Sequence, residues 1–526
     1  KSLSDPFLLP NMEAAVTRIL AALDRQERIV IFGDYDVDGV TSLALLAEAF
    51  RAYGCAPEVF LPLRLEEGYG LSRESVDRCI EQHRPQLLIA VDCGTSSVVE
   101  IAELAERGVD VIVLDHHEPK SDLPDCVAIV NPKIDPQSSF HYLCSAGIVF
   151  KLCHALLKRR PIEFDLKSKL DLVALGTVAD IVPLQGENRT FVQRGALEIA
   201  RHWTSPSDRR TRSTRPGLKR LIAVSGVRPP ISPEHIGFRL GPRLNASGRL
   251  SNAQRSLQLL LTQDEAEAAS LADFLDSQNR ERQEIEKQVF LAAEEQIGRL
   301  FDPVRDAAIV VAANGWHPGV LGIVASRISR KYHRPTIVIG VAAATGIGNA
   351  SGRSIEGLNL VEALQRCSGT LQKFGGHEMA AGLTIQEKDV DRFSEAFRRA
   401  ARELLSEECL QPCLRLDHEL AFSELNDDFL RWHEMLQPFG NGNPAPLFLA
   451  REVEPVAPSR VVNDKHRILR LRQGNYHRRA VYFDSADVLL PPVPWDIAFR
   501  IRADEYEGET VLGMQIQAVR QAVPRQ

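Results

Sequence analysis

The chain has 526 residues, more than one hydrophobic core supports, so about two to four domains are expected. Its hydrophobic content of 44%, charged content of 25% and mean hydropathy of -0.15 are ordinary globular values. No apolar run reaches the roughly 20 residues that cross a bilayer, which excludes a membrane-inserted protein. The net charge of -7 argues against a protein coated with cations for nucleic acid, but it leaves a localised basic surface open.

The chain begins without Met and without an apolar signal core, so we expect that the natural protein starts upstream and carries no export signal. Its nine cysteines include no C-x-x-C pair, which supports neither a disulfide framework nor a zinc site. This pattern favours the reducing cytoplasm.

The first part of the chain alternates short apolar runs with amphipathic stretches. Strands are predicted at 29–32, 87–91 and 111–114, and helices at 42–53 and 98–107. Such alternation is typical of β-α-β units on a parallel sheet, whose ligands gather at the carboxyl ends of the strands. Acidic residues follow each of the three runs, so one site is expected at that edge.

A proline-free stretch rich in Ala, Glu, Gln, Leu and Arg predicts a long helix over 262–300 that bridges two domains. A second α/β pattern follows, with strands at 308–312 and 336–340 and a helix over 320–331. From about residue 414, alternating runs indicate a small β-barrel, with strands at 467–472, 479–483, 496–501 and 511–516.

One segment is unusually basic. Between residues 201 and 220 lie Arg209, Arg210, Arg212, Arg215 and Lys219 among Ser, Thr and Pro. Contact with a phosphate backbone and a merely solvated loop both remain open for this segment.

The segment GDYDVDG at 33–39 places Asp34, Asp36 and Asp38 at alternate positions directly after a predicted strand. Carboxylates packed this closely repel one another unless a cation neutralises them, and hard cations prefer oxygen ligands. A calcium loop also contains this pattern, but its later acidic ligand is missing, since Leu45 occupies the twelfth position. From this segment alone, a calcium loop or a solvated turn stays open.

Two further strand ends carry similar groups: Asp92 follows the second run, and Asp115, His116 and His117 follow the third. Imidazole is a softer ligand than a carboxylate, so this pair suits manganese, iron or zinc better than calcium. The two histidines taken alone favour an ordinary surface pair. Three acidic strand ends that converge on one edge favour a metal site.

These motifs resemble the DHH phosphoesterase superfamily, which takes its name from the triplet found here at 115–117. Its fourth motif is found at 171–184 and contains Asp180. The resemblance implies two divalent cations, Mn²⁺ or Mg²⁺, bridged by Asp38 and Asp92. The ligands that it implies are Asp36, Asp38, Asp92, His116 and Asp180. It further implies that Asp34 is an outer participant, that His117 faces the scissile phosphate and that Asp115 orients a histidine.

Within that superfamily the chain is most similar to the RecJ family, over nearly its whole length. The resemblance implies an α/β protein of four regions: a DHH catalytic domain over 1–205, a helical connector over 206–302, a DHH-associated α/β domain over 303–408 and an oligonucleotide-binding (OB-fold) barrel over 409–526. It also implies a single-strand-specific exonuclease that releases 5′-mononucleotides from a 5′ end by two-metal hydrolysis in recombination and repair. A cytoplasmic monomer is expected, with single-stranded DNA, a single-strand-binding protein and a repair helicase as partners.

Several polar residues are predicted to bind the strand. Ser351 and Arg353 suit a terminal phosphate, with Arg64 as a further guanidinium. The segment Gly375, Gly376 and His377 allows close approach of backbone to nucleotides, although a plain glycine turn is the alternative. The segment GPRLNASGRL at 241–250 adds predicted substrate-binding residues, with a salt-bridge role open for both arginines: Arg243, Asn245 and Arg249.

In the barrel, basic and aromatic residues predict a stacking platform for single strands, while core packing and solvated strand faces remain open for the same residues: Arg470, Arg472, Tyr476, Arg478, Arg479 and Tyr482. Two other functions are alternatives for this sequence. A DHH phosphoesterase for short oligonucleotides or cyclic dinucleotides would need no barrel, and a non-catalytic scaffold would not keep every ligand position filled.

Overall fold

A computed structural model of the chain describes residues 3–62, 70–120, 122–204, 214–250, 252–506 and 509–523. Its helices are α1 Met12–Asp24, α2 Val37–Ala52, α3 Arg73–His83, α4 Val98–Glu106, α5 Ser145–Arg159, α6 Leu170–Ala179, α7 Gly186–Thr204, α8 Pro216–Ser225, α9 Pro233–His235, α10 Gly241–Leu250, α11 Gln254–Leu261, α12 Glu265–Leu300, α13 Pro318–Tyr332, α14 Leu360–Arg366, α15 Val390–Leu404 and α16 Asp427–Glu434. Among the helices of these ranges, none combines the length and apolar composition that crossing a membrane requires.

Its strands are β1 Ile29–Gly33, β2 Glu58–Phe60, β3 Leu87–Val91, β4 Asp110–Leu114, β5 Ala128–Val130, β6 Ile309–Asn314, β7 Thr336–Ala342, β8 Ile347–Arg353, β9 Lys373–Gly376, β10 Ala380–Gln386, β11 His418–Glu419, β12 Phe448–Pro455, β13 Arg460–Val462, β14 His466–Gln473, β15 Tyr476–Tyr482, β16 Trp495–Tyr506 and β17 Glu509–Gln521. The chain forms two compact units: a larger one of Lys1–Asp180 and Arg194–Pro412, and a smaller one of Ile181–Gln193 and Cys413–Gln526.

The first sheet of the larger unit is parallel throughout, with the order β2-β1-β3-β4-β5. Every residue of β1 and β3 is buried, as their continuous apolar composition predicts for a sheet covered on both faces. Because β1, β3 and β4 are neighbours, the residues that follow them meet at one edge. The predicted parallel sheet is confirmed.

The second helix begins five residues earlier than the sequence pattern predicted. The carboxylate of Asp36 accepts a hydrogen bond from the Gly39 backbone N–H at 3.1 Å and caps α2, which starts at Val37. An Asp at the N-cap offsets the weak helix propensity of the acidic motif. As a result, Asp38 lies in the first helical turn rather than in a loop.

The helix α12 of 36 residues confirms the predicted long helix, and Asp264 caps its start by accepting from Glu267 N–H. The second sheet has the order β6-β7-β8-β10-β9, in which only β6 and β7 are parallel. Helix α13 packs on this sheet through buried Val320, Val324 and Ile328.

The basic segment contributes one buried ion cluster. Arg215 is buried, with its Nη1 atom 2.6 Å from Glu48 and its Nε atom 3.0 Å from Asp171. His202 Nε2 also lies 2.9 Å from Asp171. For Arg215, neither a phosphate contact nor a solvated loop is therefore correct, because its charge is neutralised inside the protein. Arg209, Arg210 and Arg212 lie outside the described residues.

The smaller unit contains the predicted barrel. Strands β12, β16, β17, β15 and β14 pair in that order, and pairing of β14 with β12 closes the ring. Phe422, Phe499 and Trp495 are buried in its interior. The inward-facing positions alternate along the strands, as the period-2 pattern predicted.

The motif PFGNGNP at 438–444 contacts the segment 181–193 inside the smaller unit. Asn441 Nδ2 donates to the Ile181 carbonyl at 2.6 Å, and Leu184 N–H donates to the Asn441 carbonyl at 2.7 Å. Gly442 has a φ of +69°, and a Cβ there would lie 2.9 Å from Pro183 Cβ. This loop therefore binds another part of its own unit as well as leading into the barrel.

Candidate metal centre

Seven acidic and imidazole side chains converge at the carboxyl edge of the first sheet. Their ligand atoms form three groups in which all atoms lie within 4.8 Å of one another: Asp34, Asp36 and Asp92; Asp38, His116 and Asp180; and Asp92, His116 and His117. These groups bring together every residue that the DHH resemblance implied as a metal ligand. Asp34 and His117 lie at ligand distance as well.

Different elements deliver these side chains. Asp34 follows β1, Asp92 follows β3, and Asp180 is the C-cap of α6. Asp92 has a φ of +63°, in the left-handed region that costs a non-glycine residue on the order of 1 kcal/mol. Strained backbone of this type is found at functional sites, and here it places the Asp92 carboxylate in the cluster.

The amino end of α5 holds two of the carboxylates in place. Asp38 accepts from the backbone N–H of Ser145 at 2.7 Å and of Ala146 at 2.9 Å, and Ser145 Oγ donates to Asp92 Oδ1 at 2.9 Å. Exposed N–H groups at a helix start favour an anion. Ser145 could not be predicted from the sequence, because no spacing or ligand motif marks it.

His116 has the geometry of a metal ligand. Its Nε2 atom is buried without a hydrogen-bond partner, yet it lies 3.4 Å from Asp92, 3.4 Å from Asp180 and 3.8 Å from Asp38. Burial, together with the nearby charge of His117, lowers the pKa of His116 to about 3. A neutral imidazole nitrogen among three carboxylates fits a divalent cation, which would satisfy all four groups.

The carboxylates are electrostatically crowded. Burial and the charge of Asp36 raise the pKa of Asp38 to about 6. Burial and the neighbouring carboxylates also raise the pKa of Asp92 and of Asp180 well above the usual range. A bound cation would reverse these shifts, because it stabilises the ionised forms. The mixed oxygen and imidazole donor set suits Mn²⁺ and accepts Mg²⁺.

Asp115 positions His117 rather than joining the ligand groups. Its Oδ1 atom lies 2.7 Å from His117 Nδ1, and its Oδ2 atom accepts from the Thr95 N–H at 3.1 Å. Burial alone would raise the pKa of Asp115 and lower that of His117. The hydrogen bond between them overcomes burial in both, so that the pKa of Asp115 is lowered and that of His117 is raised to about 9. The hydrogen bond with Asp115 therefore favours the protonated form of His117.

The second sheet brings together the residues predicted to bind the terminal phosphate and the strand. Ser351 and Arg353 alternate on β8, where Ser351 is paired with Gly382 of β10 and Gly382 with Gly375 of β9. Gly376 and His377 follow on the same edge and are exposed.

The guanidinium of Arg353 is half-buried against α13, where a Cβ at Gly322 would lie 3.0 Å from its Nη2 atom. Arg353 Nη1 donates to the Gly352 carbonyl at 2.8 Å. Within the described ranges no carboxylate lies within the 4.0 Å of an ion pair with Arg353. This cation is therefore available to an anionic ligand.

The GPRLNASGRL segment is engaged inside the protein. Arg243 Nη2 lies 2.8 Å from Asp276, Asn245 Oδ1 accepts from the Val37 N–H at 3.1 Å, and Arg249 Nη1 donates to the Gly319 carbonyl at 3.2 Å. The salt-bridge alternative thus describes Arg243. Their contact with substrate remains a prediction, and Arg64 lies outside the described residues.

A parallel sheet with this aspartate and histidine cluster at its carboxyl edge defines a protein of the DHH class. In agreement, the family model described as "DHH family, N-terminal domain" matches residues 28–177. A DHHA1 domain model matches residues 306–403, and a RecJ OB domain model matches residues 416–518.

Comparison with individual proteins shows which family of the DHH class the chain belongs to. The chain is 40% identical over 448 residues to the single-stranded-DNA-specific exonuclease RecJ of Bacillus subtilis (strain 168), with 85% of this chain and 54% of that protein covered. It is 35% identical to the RecJ exonuclease of Haemophilus influenzae, with 98% of this chain and 92% of that protein covered. The chain belongs to the RecJ family. It thus spans about half of the Bacillus relative but nearly all of the Haemophilus one.

A solved structure agrees with this assignment. RecJ from Thermus thermophilus in complex with Mn²⁺ superposes with a TM-score of 0.83 at 31% identity, covering 98% of this chain and 72% of that chain. The Mg²⁺ complex of RecJ from the same organism superposes with a TM-score of 0.76 at 28% identity, covering 98% and 71%.

Proposed function

We propose that this protein is a metal-dependent, single-strand-specific DNA exonuclease that removes 5′-mononucleotides from a 5′ end in recombination and repair. The observation that carries the proposal is the cluster around His116, where a neutral buried imidazole lies among three carboxylates. Family membership supplies the substrate class. The reaction is hydrolysis of a phosphodiester bond, in which water is consumed and the 3′ oxygen of the released nucleotide leaves.

The chain's own residues hold the reacting groups. Asp36, Asp38, Asp92, His116 and Asp180 are the proposed ligands of two divalent cations, Mn²⁺ or Mg²⁺, with Asp34 as an outer participant. When bound, such cations supply Lewis acidity and an activated water. His117, oriented by Asp115, is proposed to donate to a non-bridging oxygen of the scissile phosphate and to stabilise the charge that develops there.

The DHH-associated domain is proposed to bind the strand and its end. Arg353 is a half-buried cation without a carboxylate partner in the described part of the chain, and Ser351 offers a hydroxyl on the same strand face. Together they suit a terminal phosphate, which takes a charge-assisted fork. Exposed Gly375 and Gly376 let the sugar-phosphate backbone approach β9 closely, with His377 beside them.

The barrel is proposed to bind the strand farther along. Arg470 and Arg479 are exposed and face each other across β14 and β15, and neither has an ion-pair partner among the described residues. Like charges placed directly opposite destabilise a sheet unless an anion lies between them. Tyr476 is 47% exposed at the first position of β15, but strand alternation places it on the face opposite to Arg479.

Two of the predicted barrel arginines have other roles. Arg478 donates to the carbonyl groups of Phe422 and Leu425 at 2.8 and 2.6 Å, and Arg472 pairs with Glu454 at 2.5 Å. We therefore restrict the proposed DNA-binding face of the barrel to Arg470 and Arg479.

The cytoplasm is the proposed compartment, supported by nine cysteines that are all free thiols. A monomeric enzyme with a single-strand-binding protein and a repair helicase as partners rests on the family resemblance. Co-purification with each partner on single-stranded DNA tests that part.

One assay tests the main proposal. The purified protein with Mn²⁺ is given 5′-labelled and 3′-labelled single strands and the matching blunt duplex. We expect that 5′-labelled single strands release labelled mononucleotide at once, that 3′-labelled strands shorten progressively, and that blunt duplex is spared. Release from the 3′ end, internal cleavage, or equal degradation of duplex would contradict the proposal.

A further inference from the structure

Phe238 is a solvent-exposed aromatic side chain on a short turn of the larger unit. It is 75% exposed, whereas its neighbours Ile236 and Leu240 are fully buried. The three residues lie on a five-residue π-helix over Ile236–Leu240. Because Ile236 and Leu240 are buried on either side of it, the turn leaves the phenyl ring of Phe238 in solvent. Short π-helices are uncommon overall, but those that do occur are frequently located at functional sites.

The same segment is packed directly on the metal-binding motifs. A Cβ at Gly237 would lie 3.5 Å from Val178, and one at Gly241 would lie 3.6 Å from Ala179. Val178 and Ala179 end α6, and the next residue is the proposed ligand Asp180. The turn that carries Phe238 is therefore fixed to the last turn before a metal ligand.

The helix that follows the π-helix contacts the first acidic motif as well. Asn245 accepts from the Val37 N–H at 3.1 Å, and a Cβ at Gly248 would lie 2.8 Å from the Tyr35 carbonyl. Between them, α6 and the first acidic motif supply three of the proposed ligands. Phe238 is thus held at a defined position relative to the site where the phosphodiester bond is cut.

The charge beside Phe238 suits a nucleic acid. Arg239 is exposed and forms no ion pair within the described part of the chain. A cation next to an exposed ring is the combination that binds single strands, since the cation contacts phosphate while a base stacks on the ring. A single exposed apolar residue needs no explanation by itself. Phe238, however, lies on a turn that packs against the metal-binding motifs, and next to it is a cation without an ion pair in the described part of the chain.

We propose that Phe238 stacks on a nucleobase of the bound strand next to the scissile linkage, with Arg239 on the adjoining phosphate. The inference rests on the proposed exonuclease function and adds a base-binding subsite to it. Such a contact reads no sequence, because every base has an aromatic face. It fixes the register of the strand at the metal site.

The test is a double-mutant cycle that combines removal of the Phe238 side chain with removal of the bases it would contact. Affinity for a 5′-phosphorylated oligothymidylate is measured by fluorescence anisotropy in EDTA for the wild type and Phe238→Ala. It is then measured for the same strand with abasic residues at its first four positions. Loss of one stacked base weakens binding about 5- to 150-fold. We expect this loss for Phe238→Ala on the intact strand and nearly none on the abasic strand.

Three variants complete the experiment. Phe238→Trp is expected to restore affinity, and Phe238→Leu, which keeps an apolar side chain without a ring, is expected to lose it. Phe274→Ala removes a 38% exposed phenylalanine of α12 in the same unit and is expected to bind like the wild type. Mn²⁺ affinity by calorimetry is expected to be unchanged in Phe238→Ala.

Equal losses on intact and abasic strands, or wild-type affinity of Phe238→Ala on the intact strand, would overturn the base-stacking role. So would restoration by leucine, since it would indicate a general apolar contact such as one with a protein partner. Failure of the wild type to degrade single strands would instead overturn the proposed function, and the two failures are thus distinguishable.

Discussion

Replacing Asp92 by Asn tests two things separately: whether charge repulsion in the acidic cluster destabilises the metal-free protein, and whether the Asp92 carboxylate is needed for metal binding and activity. Asp92 is buried, and its ligand atom lies within 4.8 Å of those of Asp34 and Asp36. At an effective dielectric constant of about 20, two such charges repel by about 3 kcal/mol. Asparagine keeps the shape of the side chain and the hydrogen bond with Ser145 but removes the charge. We expect that Asp92→Asn raises the free energy of unfolding of the metal-free protein by about 1–3 kcal/mol at a pH above the raised pKa of Asp92.

The pH dependence has a defined sign. Because the folded-state pKa of Asp92 is raised, and that of Asp38 is raised to about 6, the wild type loses stability as the pH rises through these values. The advantage of Asp92→Asn is therefore largest above these raised pKa values and shrinks as the pH falls through them, because the wild-type carboxylates then take up protons.

In the presence of Mn²⁺ we expect the wild type to be more stable than Asp92→Asn. Mn²⁺ at 100 times its dissociation constant stabilises the wild type by about 2.7 kcal/mol, whereas the variant has lost a ligand. Thermal unfolding followed by calorimetry in EDTA and in Mn²⁺ measures both differences, which amount to a few degrees each. Exonuclease activity of the variant is expected to be lost in both conditions.

The matched control is Asp171→Asn. Asp171 is also a buried aspartate, but Arg215 at 3.0 Å and His202 at 2.9 Å lower its pKa although burial opposes this. Breaking a buried ion pair costs about 3 kcal/mol, so this variant is expected to be destabilised with and without metal. If Asp92→Asn were destabilised in EDTA as Asp171→Asn is, the cluster would be a structural hydrogen-bond network, and the reasoning from charge crowding would be refuted.

Three further predictions concern the end-binding residue, the barrel face and one glycine. Arg353→Ala is expected to slow cleavage of 5′-phosphorylated strands by roughly 10- to 150-fold and that of 5′-hydroxyl strands far less, and equal losses in single-turnover assays would argue against end recognition. Arg470→Ala and Arg479→Ala are each expected to lower the slope of log affinity against log salt by about 0.7, measured between about 50 and 200 mM KCl, and an unchanged slope would remove the DNA role of this face. Gly442→Ala is expected to destabilise the smaller unit by about 1–3 kcal/mol, because its φ of +69° and the 2.9 Å approach to Pro183 leave no room for Cβ; urea unfolding measures this, and wild-type stability would contradict it.

Several strands, the long helix and the chemistry at the strand ends could be predicted from local sequence pattern. Continuous apolar runs identify β1, β3 and β4, because a doubly covered strand needs apolar residues on both faces. The acidic and imidazole residues that follow them were predictable as one site, since the carboxyl ends of neighbouring parallel strands meet. Helix α12 was predictable from composition alone. These signals are local, and they can be read without knowing what packs against what.

The tertiary contacts show which polar residues are available to a ligand and which are paired inside the protein. Arg243 and Arg353 look equally suited to phosphate in the sequence, yet Asp276 neutralises the first and no described carboxylate neutralises the second. Ser145 donates to Asp38 from more than a hundred residues away, and Phe238 is exposed on a turn whose neighbouring residues are buried. The physical reason is that charge neutralisation, burial and hydrogen bonding depend on neighbours in space, which local sequence pattern does not specify.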